Sequence, residues 1–239
     1  MASVKLKHTD GNGTILHSPA ANPSADVTLK LPSTSGSAGQ VLQVASANHS
    51  ATNAELEFAA AGGGKILQVV PTVANGASSV TISNQYDNNS SYIYYLTSLN
   101  TTLTTTATNS KILISANIFG EANQVDNVIG FVLSSSINSG TDTPIDALRG
   151  QEYGNRPRVT AMMSVGYYGN DQDSTPSVTT FSNFIYAPQQ ASGTSIVIKI
   201  GVVGVSTTGT FYLNRTVGHG NSNSYEYGVS SLTLQEVAP

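Results

Sequence analysis

The chain contains no cysteine. Disulfides, thiol nucleophiles and sulfur-ligated zinc are excluded together, so stability must come from packing and association. Charge is scarce as well: Asp, Glu, Lys and Arg make up 10% of 239 residues, and the net charge is -4. A nucleic-acid surface needs basic side chains concentrated on one face. Here ten Lys and Arg are spread over the whole length, so no nucleic-acid partner is expected.

No stretch approaches the roughly 20 consecutive apolar residues that span a bilayer, and membrane insertion is not expected. Residues 1–10 lack the apolar core of a secretory signal peptide, which predicts synthesis in the cytoplasm without export by that route. The Asn-x-Ser/Thr triplets at Asn12, Asn48, Asn88, Asn89, Asn100 and Asn214 follow from a composition rich in Asn, Ser and Thr. They carry meaning only in a secretory context. The four histidines, His8, His17, His49 and His219, have no metal-ligand spacing, so neither metal nor cofactor is expected.

A repeated phrase organises what is present. Gly39-Gln40-Val41-Leu42-Gln43-Val44 returns as Gly64-Lys65-Ile66-Leu67-Gln68-Val69. The first copy lies in a Ser/Ala/Gly-rich stretch, and the second opens a train of apolar, β-branched segments. The change near Gly62-Gly63-Gly64, read as a hinge, divides the chain into an extended arm, 1–64, and a head, 65–239. In the arm, strand-like pieces at Val4–Lys7, Thr14–Leu16 and Val27–Leu31 are separated by Gly, Pro and Asn clusters that favour reversals. Large apolar side chains are too few to offset a backbone ordering cost of about 1–2 kcal/mol per residue. The arm is therefore expected to lean on sister chains or a larger assembly; packing against its own head is the alternative.

The head reads as strands throughout, near 65–73, 92–99, 111–119, 127–137, 158–168, 179–187, 194–206, 210–215 and 225–237. No stretch shows a capped 3.6-residue period. Short strands between polar loops predict an all-β fold, a jelly-roll-like antiparallel β-sandwich following the short-stranded arm. Two tracts, Asp87 to Lys111 and Asp173 to Lys199, contain no internal charge. Exposed sheet edges are commonly protected by charge, so these faces are candidates for burial in an oligomer.

Side chains suited to a partner cluster in two places. Arg149, Glu152, Tyr153, Arg156 and Arg158 fall together in an otherwise uncharged head. Tyr167 and Tyr168 lead into a Gly/Asn/Asp loop carrying Asp171 and Asp173. Tyr153, Arg156, Tyr167, Tyr168, Asp171 and Asp173 are the receptor-contact candidates, since tyrosine offers a stacking face with a polar tip. Alternation along a strand turns one of Tyr167 and Tyr168 inward. For the arginines the competing reading is inter-subunit hydrogen bonding. Asp171 and Asp173 fit an ordinary turn better than calcium, which needs six to eight oxygens.

The string Leu29-Lys30-Leu31-Pro32 followed by Gly36-Ser37-Ala38-Gly39-Gln40-Val41-Leu42-Gln43 resembles a segment recurring in fibre and spike proteins of tailed bacteriophages. The second copy Gly64–Val70, the later segment Ser110-Lys111-Ile112-Leu113-Ile114, and the ending from Phe211–Arg215 to Gly228–Val237 are similar to head domains of marine, especially cyanobacterial, phages. The resemblance implies a non-enzymatic virion protein: a homotrimer with residues 1–64 docked on other virion proteins and a β head facing a host glycan or protein receptor. At about 3.3 Å per extended residue the arm reaches about 210 Å at most, which suits a short spike, tail or capsid appendage. A capsid or tail decoration protein and a free carbohydrate-binding module are the alternatives.

Overall fold

The computed structural model describes residues 3–7, 13–17, 28–38, 40–50, 53–60, 66–86, 92–123, 129–163, 175–205, 208–221, 223 and 225–239. Its strands divide between two compact units, 1–63 and 64–239. Among the described residues no helix is long and apolar enough to cross a membrane.

The first unit holds two small sheets. Strands β1 (Ser3–Lys7) and β2 (Gly13–His17) pair antiparallel. Strands β3 (Thr28–Lys30), β4 (Gln40–Ser50) and β5 (Asn53–Ala60) form a sheet ordered β3-β5-β4, in which β4 and β5 run antiparallel and β3 pairs parallel to β5. The sequence reading located β1, β2 and β3 but missed the β4–β5 pairing. Alternation there is blurred, since Ala and Ser occupy positions where a core-facing strand would place large side chains. Ala45 is the only buried side chain among those described in this unit.

The second unit comprises β6 (Ile66–Ala74), β7 (Ser78–Ile82), β8 (Tyr94–Tyr95), β9 (Thr101–Thr104), β10 (Lys111–Ala122), β11 (Ile129–Ile137), β12 (Thr143–Pro144), β13 (Ala161–Met162), β14 (Ser177–Tyr186), β15 (Ser195–Gly204), β16 (Gly209–Leu213) and β17 (Ser230–Val237). One side of β10 pairs with β14, the other with β17 and β16 placed end to end; β17 in turn pairs β6 and β16 pairs β7. In the second sheet β11 pairs β15, with β12 and β13 end to end beyond β11 and β8 and β9 beyond β15. Counting each end-to-end pair as one position gives eight positions in chain order. The sheets then read 1-8-3-6 and 2-7-4-5, all antiparallel, which is the jelly roll.

The core lies between the sheets. In β10 alternation buries Ile112, Ile114, Ala116 and Ile118, and in β17 it buries Leu232 and Leu234. Phe131 of β11 meets Phe181 of β14 and Phe211 of β16 edge-on, at 5.8 and 5.6 Å between centroids. Such a geometry aims ring edges at ring faces. The strand expected over 158–168 shrinks to β13 within the described residues, while β7, β9 and β12 were not anticipated. These are short, hydroxyl-rich or proline-bearing segments whose strand state depends on a partner across the sheet.

Buried polar side chains seal strand breaks and the turns between strands. Asn214, fully buried with φ 61°, donates to the Ala74 and Gly76 carbonyls at 2.8 and 3.0 Å and accepts from the Ser230 hydroxyl at 2.6 Å. It thereby ties the β6–β7 junction to the β16–β17 junction. Glu121 accepts backbone N–H bonds from Thr175 and Val217. Glu236, 0% exposed, accepts from the Gln68 amide, from the Thr106 hydroxyl and from the backbone N–H groups of Thr106 and Ala107. Burial pushes the Glu236 carboxyl up, but the Gln68 and Thr106 hydrogen bonds outweigh it and hold it at about 2.

Two measurements follow. Asn214→Ala leaves the buried Ala74 carbonyl and the Gly76 carbonyl without their donor and puts alanine at positive φ, so denaturant unfolding is expected to register a loss of about 3 kcal/mol. Asn214→Gly keeps the backbone freedom and isolates the hydrogen-bond share. For Glu236, a lowered native pKa means that the carboxylate favours the folded state above the ordinary Glu range. That contribution, about 3 kcal/mol, is lost as pH falls from about 5 toward 2. Glu236→Gln is expected to be less stable at neutral pH and to show a flatter pH dependence over the same window, read from urea midpoints.

Candidate functional site

Residues 145–160 leave the sheet between β12 and β13 and return to it. Their ends are stitched to β11: the Ile145 N–H donates to the Leu133 carbonyl at 2.9 Å and the Thr160 N–H to the Phe131 carbonyl at 2.8 Å. Ile145 and Leu148 are buried in the main core, the latter at the end of a 3-10 turn over Asp146–Leu148. The excursion lies over the outer face of the second sheet, where Tyr86, Ile93, Val132 and Val203 form a second cluster with Val159 against it. Glycines make the close approach feasible. A Cβ at Gly130 would sit 2.6 Å from a Val159 methyl, and one at Gly201 2.1 Å from a methyl of Ile93.

Two arginines pin the excursion from within. Arg149 donates to the Tyr86 hydroxyl at 2.8 Å and pairs with Asp146. Arg158 donates through Nε to the Gly150 carbonyl at 2.7 Å and pairs with Asp146 at 3.3 Å and Glu152 at 3.8 Å. The Arg149 hydrogen bond holds the Asp146 carboxyl below the usual carboxylate range. Arg149 and Arg158 are thus both paired within the chain, with most of each side chain buried. Asp146 was not singled out in the sequence, although its i,i+3 spacing to Arg149 is visible there.

Two carboxylates offset two arginines, which leaves Arg156 as the surplus cation. It sits on a reversal closed by its own N–H to the Tyr153 carbonyl, with Gly154 at φ 56°. Its guanidinium carbon lies 5.1 Å from the centroid of the Tyr153 ring, and Tyr153 is 73% exposed. A stacked guanidinium keeps its N–H edge free for a carboxylate or phosphate, and Tyr and Arg dominate binding hot spots. The structure therefore brings Tyr153 and Arg156 together as an exposed tip on a pinned base. Tyr167, Tyr168, Asp171 and Asp173 lie outside the described residues.

A further aromatic surface escaped the sequence reading. Between β16 and β17, the exposed Tyr227 hydroxyl and His219 Nδ1 are 2.7 Å apart, and Arg215 lies 4.2 Å over the Tyr212 ring. The four residues are dispersed over 212–227, and only the return of the chain places them in pairs.

No protein-family model and no curated protein sequence matches this chain. Among solved structures it is similar to the VP2 subviral particle of infectious bursal disease virus, at 11% identity and a TM-score of 0.31, covering 77% of this chain and 44% of that one. It is also similar to a CocE/NonD family hydrolase from Staphylococcus aureus, at 9% identity and a TM-score of 0.25, covering 77% and 39%. The chain spans less than half the length of either structure, and likenesses this distant assign no function.

Arg149→Met removes the bonds to Tyr86 and Asp146 while keeping the aliphatic stem. Hydrogen exchange is expected to accelerate at least tenfold across 146–158 and to stay unchanged in β10 and β17. Uniform protection throughout would sever the tip from its pinned base.

Proposed function

We propose that the chain is a non-enzymatic virion protein, a short homotrimeric fibre or spike whose residues 1–64 anchor it and whose jelly roll engages a host surface. The observation that carries this reading is the fate of the repeated phrase. One copy begins β4, an edge of its sheet; the other begins β6, an edge of the first jelly-roll sheet. On both, large apolar side chains face solvent: Val44 is 49% exposed and Val69 is 54% exposed, with Val41, Leu42, Ile66 and Leu67 also exposed. An edge strand without charge and with bare aliphatic groups is a template for pairing with another chain.

The surroundings support the same reading. Leu29 and Leu31 are exposed in the first unit, where Ala45 alone is buried among the residues whose side chains are described. On the outer face of the first jelly-roll sheet, Val73 and Val178 are exposed, and Lys111 is the one exposed charge among the described residues of β6, β10, β14 and β17. Serine, threonine, asparagine and glutamine each donate and accept, so Ser231, Thr233, Asn117 and Gln235 on these strands suit apposition to a copy of the same face. The Tyr153–Arg156 tip belongs to the other sheet and stays available for a receptor. Several copies on one particle turn weak contacts into durable attachment.

Solution mass decides between this and a monomeric binding module. The full chain is expected to run as a trimer, and Val44→Asp combined with Val69→Asp to shift it to monomer with the melting of the jelly roll little changed. A full-length chain that is monomeric at micromolar concentration overturns the proposal. A trimer that does not adhere to host cells moves it to a decoration role.

A further inference from the structure

Beside the excursion, where the edges of the two sheets meet, lies a groove of about 640 Å³ between β12 and β14. This is within the usual range for small-ligand sites. Its wall is built from Ser135, Thr141, Thr143, Asp146, Ile185 and Tyr186, with Pro144 and Ala147 beside them. We propose that this groove binds neutral pyranose oligosaccharides.

Charge narrows the ligand first. Asp146 is the one charged side chain in the lining. Arg149 and Arg158 are largely buried and already paired with it. An anionic sugar or a phosphate would meet a carboxylate and no free cation, so anions are disfavoured. Four hydroxyls line the wall, from Ser135, Thr141, Thr143 and Tyr186, and the Ser135 and Tyr186 oxygens are 3.1 Å apart. Each hydroxyl donates and accepts, as does each hydroxyl of a sugar. Asp146 accepts only, and its arginines hold it in place before any ligand arrives, which lowers the ordering cost of binding. The Ile185 and Pro144 side chains and the Tyr186 ring supply apolar contact for the C–H face of a pyranose.

The backbone argues against an extended peptide. A peptide adding to a sheet edge needs a regular run of free N–H and C=O groups. On one side β12 is two residues long and ends in Pro144, which has no N–H. On the other, β14 carries Asn183 at φ 62° next to its register shift against β10, so its edge is interrupted just before Ile185.

The site is separate from the Tyr153–Arg156 tip and rests on the attachment reading only for where such a sugar would be met. Saturation-transfer NMR of the full-length protein with neutral trisaccharides of glucose, galactose, mannose and N-acetylglucosamine tests it. At least one is expected to bind with a millimolar or tighter dissociation constant, and sialyllactose is expected not to. Ala147→Arg, at an exposed position on the rim, is expected to abolish transfer without changing the melting temperature. Asp146→Asn is expected to weaken binding about tenfold. No transfer from any of the four, or transfer that survives Ala147→Arg, overturns the proposal. So does a Thr/Val hexapeptide that shifts β14 amides in place of the sugars. Sugar binding without adhesion to host cells supports the groove and removes the attachment reading; adhesion without sugar binding does the reverse.

Discussion

A strand position broken in two leaves backbone donors and acceptors stranded at the break, and in a sandwich the break is often out of reach of water. Four of the eight positions in this jelly roll are broken in this way, at β6–β7, β8–β9, β12–β13 and β16–β17. An unsatisfied buried polar group costs about 1–3 kcal/mol, so the fold depends on finding partners at the breaks. Asn214 and Glu121 supply them at the β6–β7 and β16–β17 breaks: an amide joining the two junctions, and a buried carboxylate accepting from the Val217 N–H. Glu236 joins the sheets, since it sits on β17 and takes its bonds from the turn that follows β9.

The breaks also create the surfaces. The β12–β13 interruption releases the excursion that carries Tyr153 and Arg156, and it leaves the short edge beside which the groove opens. The β16–β17 interruption releases the segment carrying His219 and Tyr227. The two sheets differ in what covers them. The outer face of the second is sealed by Tyr86, by Ile93 seated on Gly201, and by the excursion seated on Gly130. The outer face of the first keeps Val69, Val73 and Val178 exposed. One sheet is thus finished by its own loops, and the other presents a nearly uncharged face, together with the edge strand β6.

Long strands were legible because burial on one face imposes alternation: β10, β14, β15 and β17 were placed within a few residues from Ile, Val, Leu and Phe spacing. The β7, β9, β12 and β13 segments were missed or overextended. Segments of two to five residues rich in Ser, Thr and Ala carry too little hydrophobic contrast to fix a period. At the tip, the concentration of Arg149, Glu152, Tyr153, Arg156 and Arg158 was visible, but their division of labour was not. Pairing with Asp146 and Tyr86 withdraws Arg149 and Arg158 from the surface and leaves Arg156 on it.

Composition and alternation alone determined that this chain is all-β, free of disulfides and poor in charge, because those properties are local or additive. Tertiary structure decided which strands became edges, which carboxylates were buried, and which of three neighbouring arginines faced outward. Each of these depends on what lies across the sheet or above it, from residues up to 168 positions away, as with Gln68 and Glu236. The sequence shows one phrase written twice; only the fold made both copies strands and put each at an edge with its apolar side chains bare.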